Sequence, residues 1–302
     1  MNAPVKNVIV VGIDGSESAL VAARWAAHEA HLRRAELHLE TAYSVPTGYA
    51  GPGAMIPPDL YDAARDNARL VLDQARVAVL ADEPDLVITT RSSMQSPYVA
   101  LRDASTDVAL TVVGSHGMGV VSETLLGSIA MRIATHGRSP VVVVRTDRHD
   151  PRPAAPVAPD APVMVGIDGS GESEVALAFA LDEASTRGVA LLAVRTWDQA
   201  PFDGFLRVYP LEIDRSLIDA QERKLLDDQI QPWADKYPQV QITALVRRGH
   251  PAGALIRCAT ELKPALLVVG SRGRGGFKGL LLGSTSHELI AYSGSPVAVV
   301  RT

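Results

Sequence analysis

Val10-Val11-Gly12-Ile13-Asp14-Gly15-Ser16 and Met164-Val165-Gly166-Ile167-Asp168-Gly169-Ser170 are near-copies of one segment, 154 residues apart. Each is a short run of β-branched and other apolar residues that breaks into Gly-x-Asp-Gly-Ser, which reads as a strand buried on both faces of a parallel sheet. Working outward, Trp25–Ala30 matches Phe179–Ala184 at the same offset, and 112–146 matches 268–302 at offset 156 with roughly half the positions identical. The drift of two predicts a small insertion in the second copy, near Glu261–Pro264. Between the copies, 148–161 carries four prolines amid alanine, the composition of a semi-rigid linker. The chain therefore divides into a first domain over 1–147, the linker over 148–161, and a second domain over 162–302.

Both copies share one rhythm. After the first strand, Ser16 or Ser170 stands at an N-cap position, and alanines follow at helical spacing: Ala19, Ala23, Ala26 and Ala30, or Ala176, Ala180 and Ala184. Such small residues let a helix lie close to a sheet. Second strands are expected at Glu36–Ala42 and Ala190–Thr196, long helices near 58–81 and 211–235, and third strands at Leu86–Arg91 and Val240–Val246. Fourth strands end at Gly114 and Gly270, and fifth strands at 139–145 and 295–301 follow a last helix. Strand alternating with helix means an open α/β sheet in each copy, with right-handed crossovers and helices on both faces.

Composition sets the outer bounds. The 302 residues are 47% hydrophobic and 21% charged, with 29 basic against 34 acidic residues. No stripe of Lys and Arg points to nucleic acid, and no apolar stretch approaches the roughly 20 residues of a membrane span. One cysteine, Cys258, leaves no disulfide framework or multi-cysteine metal cage, and its apolar neighbours make it a buried structural residue. His28, His31 and His38 read as surface residues with no Cys or carboxylate partner at metal spacing. The N-terminal segment lacks a signal-peptide core, so a cytoplasmic location is expected.

The chemistry sits after the fourth strand. There the first copy reads Gly114-Ser115-His116-Gly117-Met118-Gly119 and then Gly127-Ser128 at a helix start. The second reads Gly270-Ser271-Arg272-Gly273-Arg274-Gly275 and then Gly283-Ser284, so both fit Gly-x2-Gly-x9-Gly-Ser. Glycines let backbone amides turn toward an anion, and a Gly-Ser helix start offers further amides and a hydroxyl to the same phosphates. The glycines also serve as plain strand-to-helix turns, and duplication preserves either role. No G-x-G-x-x-G follows the first strand and no P-loop pattern occurs, which demotes dinucleotide dehydrogenases and Walker-type NTPases.

With Val-Gly-Ile-Asp-Gly-Ser at strand one, this loop resembles the ATP-binding branch of the universal stress protein family, as a tandem covering essentially the whole chain. The resemblance implies five-stranded parallel sheets of order 3-2-1-4-5 and one ATP per domain, with or without Mg2+. It places Asp14 and Asp168 on the adenine side, flanked by Gly12 and Ile13 and by Gly166 and Ile167. Ala42 and Thr196 become the residues whose backbone reads adenine. The ribose-phosphate cradle falls to Gly114, Gly117, Gly127 and Ser128, and to Gly270, Gly273, Gly283 and Ser284, with Ile129 and Thr285 next on each helix. An Asx turn that holds the Gly15 or Gly169 corner is the alternative role for the two aspartates, and both roles can coexist.

The copies differ beside the cradle. Arg272, Arg274 and Lys278 stand where the first copy has His116, Met118 and Ser122, so tighter binding is expected at the second site, by about 1 kcal/mol. Before Pro251 the second copy reads Arg247-Arg248-Gly249-His250, the family's usual loop, whereas the first reads Ser93-Met94-Gln95-Ser96. No residue is evidently placed to activate water against a γ-phosphate, so the function expected is a stress-response regulator that holds ATP as signal or structural ligand. An adenylating enzyme of a related fold and a non-nucleotide interaction module are the rival readings. Apolar fifth strands at a sheet edge are aggregation templates, so they are expected to be paired, and the chain to form a homodimer.

Overall fold

The computed structural model describes residues 6–45, 57–117, 126–146, 158–198, 214–274 and 281–302. The chain forms two compact units, Met1–Pro153 and Ala154–Thr302. In the first, the elements run β1 (Lys6–Gly12), α1 (Glu17–Arg33), β2 (Glu36–Ala42), α2 (Pro58–Asp82), β3 (Ile88–Ser93), α3 (Pro97–Ala104), β4 (Val108–Gly114), α4 (Ser128–His136) and β5 (Val141–Val144). The second repeats them as β6 (Val163–Gly166), α5 (Gly171–Arg187), β7 (Leu191–Trp197), α6 (Arg215–Lys236), β8 (Ile242–Arg248), α7 (Pro251–Leu262), β9 (Leu266–Gly270), α8 (Ser284–Tyr292) and β10 (Val297–Val300).

Within each unit all strand pairs are parallel and the order is 3-2-1-4-5, as the family resemblance implies. The first two crossovers step one way across the sheet and the last two step the other. Right-handed connections therefore put the first and second helices of a unit on one face and the third and fourth on the opposite face. The order in which the chain steps across the sheet turns back between β1 and β4, and between β6 and β9, which opens a crevice at the carboxyl ends of those parallel strands.

The alanine pattern works as expected. Ala22, Ala23, Ala26, Ala27 and Ala30 of α1 are fully buried, so the helix axis can approach the sheet closely. Ser16 caps this helix, its hydroxyl accepting from the Ala19 amide at 3.1 Å, and Ser170 caps α5 the same way through the Ser173 amide at 3.2 Å. The helices end alike, with a left-handed residue: Gly188 at φ 67° in the second unit, but Arg34 at φ 52° in the first. A side chain in that region costs about 1–2 kcal/mol, offset in a glycine variant by about 0.4–1 kcal/mol of extra unfolded-state entropy. Arg34→Gly should therefore raise stability by about 0.5–1 kcal/mol in a denaturant melt.

Third strands lie two residues later than hydrophobicity indicates, at Ile88–Ser93 and Ile242–Arg248. The backbone of Thr89 through Ser93 pairs with β2 up to Ala42↔Ser93 while much of its side-chain surface stays exposed, so polar residues continue a strand that apolar patterning ends early. The two-residue insertion shows up as a longer helix: α7 ends at Leu262, whereas α3 stops at Ala104. Among the described residues, no helix is long and apolar enough to cross a membrane.

Candidate functional site

Each crevice holds a cavity. In the first unit it measures about 310 Å3 and is built from the end of β1 (Gly12, Ile13, Asp14), the end of β2 (Glu40, Thr41, Ala42), the α3 wall (Pro97, Ala100, Leu101) and the turn from β4 into α4 (Gly114, His116, Gly117, Gly127, Ser128, Ile129). In the second it measures about 530 Å3, with Gly166, Ile167 and Asp168, then Val194 and Thr196, then His250, Pro251 and Leu255, and finally Gly270, Arg272, Gly273, Arg274, Gly283, Ser284 and Thr285. The sequence-predicted residues of both copies are thus brought together, with two kinds of exception. Ser115 and Ser271 are buried behind the lining: their amides donate to the Val144 and Val300 carbonyls at 2.9 and 2.7 Å, extending the strand pairing. Met118, Gly119 and Gly275 lie outside the described residues, as do Ser122 and Lys278.

The aspartates first shape the turn. Asp14 Oδ1 accepts from the Ser16 amide at 2.9 Å, and Asp168 Oδ1 accepts from the Ser170 amide at 2.9 Å and its hydroxyl at 2.6 Å. This is the Asx turn, and Gly15 and Gly169, at φ 86° and 84°, complete it with a conformation that side chains disfavour. The second carboxylate oxygen crosses to the glycine loop: Asp168 Oδ2 accepts from the Arg274 amide at 2.8 Å. A Cβ added at Gly117 or Gly273 would sit 2.6 Å from Asp14 Oδ2 or Asp168 Oδ2. In the second unit one carboxylate thereby links the β6 and β9 loops at the mouth of the cavity, and in the first Asp14 faces Gly117 in the same way.

Burial alone would raise the Asp168 carboxyl, but hydrogen bonds from the Ser170 hydroxyl and amide and from the Arg274 amide outweigh it and hold the pKa below the ordinary value. A depressed native pKa stabilises the fold above the unfolded carboxyl pKa of about 3.9 and ceases to do so as pH falls through the native value. The stability gap between wild type and Asp168→Asn should be largest at neutral pH and shrink below about pH 4, which denaturant melts across pH would show.

The groups expected to meet phosphates stand at the other end. Gly127 and Gly283 cap α4 and α8 without any side-chain hydrogen bond, and Ser128, Ile129 and Ala130 line the first cavity as Ser284, Thr285 and Ser286 line the second. The helix starts leave their first amides without a side-chain cap, beside the positive end of the helix dipole. The expected second-site arginines are present but engaged. Arg272 donates to Glu172 at 2.5 Å, and the Arg274 guanidinium packs over Gly169. His250 reaches the second cavity, whereas Ser96, its counterpart, instead caps α3 through the Val99 amide at 3.4 Å.

Sequence reasoning missed the α3 and α7 walls, because apolar helix residues such as Leu101 and Leu255 look like ordinary core. It also missed Glu40, a carboxylate with 1% of its surface exposed that lines the first cavity where the second has Val194. His28 and His31 are exposed, as expected, but His38 is largely covered and a carboxylate stands beside each of the three. His28 and His31 each face a Glu83 oxygen, at 3.3 and 3.2 Å, and His38 lies 3.1 Å from Glu40. The partners of His28 and His31 are more than 50 positions away in sequence, so spacing gave no sign of them. Among the described residues no group of three or more metal-ligating side chains could hold an ion. Cys258 is buried in α7, as expected.

Comparisons with known proteins agree with this architecture. The universal stress protein family model matches residues 7–145 and again 161–301. Universal stress protein Rv2623 of Mycobacterium tuberculosis (strain ATCC 25618 / H37Rv) is 38% identical over 298 residues, covering 97% of this chain and 96% of that one. A universal stress protein of Mycolicibacterium smegmatis (strain ATCC 700084 / mc(2)155) is 36% identical over 299 residues with the same coverage. The crystal structure of a universal stress protein from Archaeoglobus fulgidus DSM 4304 superposes with a TM-score of 0.69 at 19% identity, covering 98% of both chains, which bears on the fold alone. The family model in two copies, set on two units of identical strand order, leaves one conclusion: this chain is a tandem member of the universal stress protein family.

Proposed function

We propose that the protein is a cytoplasmic, stress-response regulator that binds one ATP in each domain and holds it as a signal or structural ligand. The observation that carries this reading is the doubled cradle. In both units a glycine loop, an uncapped helix start and an aspartate-held turn meet around one cavity at the carboxyl ends of the sheet. Adenine would rest at the β2 or β7 end, beside Ala42 or Thr196 and against the leucine of the third helix. The phosphates would take the amides of α4 or α8, with or without Mg2+.

Turnover is expected to be slow. Activating water needs a base within hydrogen-bond reach of the nucleophile, and Asp14 and Asp168 are committed to the turns they hold. Calorimetric titration of nucleotide-free protein with ATP should show two binding events, and prolonged incubation should release little ADP. Absence of binding would overturn the reading, and rapid formation of AMP and pyrophosphate would replace it with an adenylating enzyme. The chain is also proposed to be a homodimer, for which sedimentation equilibrium should give twice the chain mass of 32.1 kDa.

A further inference from the structure

Glu40 is the feature of the molecule that neither the fold nor the proposed phosphate cradle accounts for. It lies on β2 with only 1% of its surface exposed, and it lines the first cavity. A buried carboxylate is costly unless it is well hydrogen-bonded. Glu40 has two polar neighbours: His38 Nε2 lies 3.1 Å from Oε2, and the Ser93 hydroxyl donates to Oε1 at 3.2 Å. An ionised carboxylate offers about four acceptor positions, so these two leave room for more.

The second domain shows that the fold does not need this group. Val194 fills the position of Glu40, Leu192 that of His38, and Arg247 that of Ser93, while the backbone there is unchanged: the amide of Ile13 donates to the Glu40 carbonyl at 2.8 Å and that of Ile167 to the Val194 carbonyl at 2.9 Å. The polar trio is a local addition to one cavity. It stands at the end of the second strand, two strands across from the β4–α4 turn, roughly 10 Å away at the usual strand spacing. A nucleotide with its phosphates on α4 would put its base against Glu40.

Charge in the two cavities follows suit. Among the described lining residues, the first cavity has two carboxylates, Asp14 and Glu40, and no Lys or Arg. The second has one carboxylate, Asp168, and two arginines, Arg272 and Arg274. A carboxylate accepts from an exocyclic amino group, repels a carbonyl placed at the same point, and adds a field that opposes phosphate charge.

We infer that Glu40 is a specificity-determining residue: it makes the first cavity select adenine through the amino group and gain nothing from the β- and γ-phosphates, so that ATP binds there no more tightly than AMP, while the second cavity draws affinity from the triphosphate. This rests on the nucleotide-binding reading given above and divides its two sites by the part of the nucleotide each draws on. The test uses the full chain with one cavity blocked at a time, by Gly273→Val or by Gly117→Val, and calorimetric titration with adenosine, inosine, AMP and ATP. With the first cavity open, adenosine should bind at least tenfold more tightly than inosine, whose base carries a carbonyl in place of the amino group, and ATP no more tightly than AMP. With the second open, ATP should exceed AMP at least tenfold. Glu40→Val should erase the preference for adenosine and raise ATP over AMP several-fold. Glu40→Gln, which keeps the side-chain shape and can donate to a carbonyl, should admit inosine and serves should the valine variant fold poorly. Equal binding of adenosine and inosine at the first cavity, or a preference that survives the Glu40 substitutions, overturns the inference even though the second cavity binds ATP. Failure of every nucleotide at both cavities overturns the proposed function, and this inference with it.

Discussion

Valine at both Gly117 and Gly273 is expected to reduce ATP binding at least 100-fold at each site, about 2.7 kcal/mol. The added Cβ alone would come within 2.6 Å of the second aspartate oxygen, which in the second unit accepts from the Arg274 amide of the glycine loop. The aspartate must then swing away, releasing the Ser16 or Ser170 amide, or the loop must move out and lose its concave shape. The remaining methyl groups would occupy the space proposed for a phosphate beside α4 or α8. Neither glycine has a positive φ, so the loss comes from volume and not from backbone strain. Calorimetry on each single variant should find one binding event, with the melting temperature of Gly273→Val lowered no more than that of Asp168→Asn.

The second large effect is on stability. Gly114 and Gly270, expected as members of the phosphate cradle, do line the cavities, but their closest neighbours are the first turns of α1 and α5. A Cβ at Gly114 would lie 2.6 Å from the Ser18 hydroxyl oxygen and 2.7 Å from the Ser18 carbonyl oxygen. At Gly270 it would lie 2.9 Å from the Glu172 Cβ and 3.0 Å from its backbone. Backbone cannot yield as a side chain can, so the helix must move off the sheet. Gly114→Val or Gly270→Val should cost on the order of 3 kcal/mol, at the upper end of overpacking effects. Gly171→Ala makes a suitable control, since nothing lies within 4 Å of its added Cβ. Denaturant melts that placed Gly114→Val level with that control would refute the packing role.

These two glycine pairs show what sequence can reveal. Spacing identified Gly114, Gly117, Gly270 and Gly273 as one loop, because a duplicated pattern is visible without any structure. It could not separate the pair that makes room beside the cavity aspartates from the pair that makes room for a helix, since both are a missing Cβ. Strand order and helix placement were legible from the alternation of β-branched runs and alanine-faced helices, together with the family resemblance. Third-strand ends were not, because their polar residues pair through backbone alone. Glu40 was hidden for a related reason: a charged residue in a strand reads as a solvent-facing one, and only the packing of α3 over β2 buries it.

Native mass spectrometry of the full chain with ATP tests the central claim most directly. The wild type should gain the mass of two nucleotides, Gly117→Val and Gly273→Val one each, and the double variant none. A wild type that gains no nucleotide mass, or a double variant that still gains two, would contradict the assignment of a nucleotide to each of the two cavities.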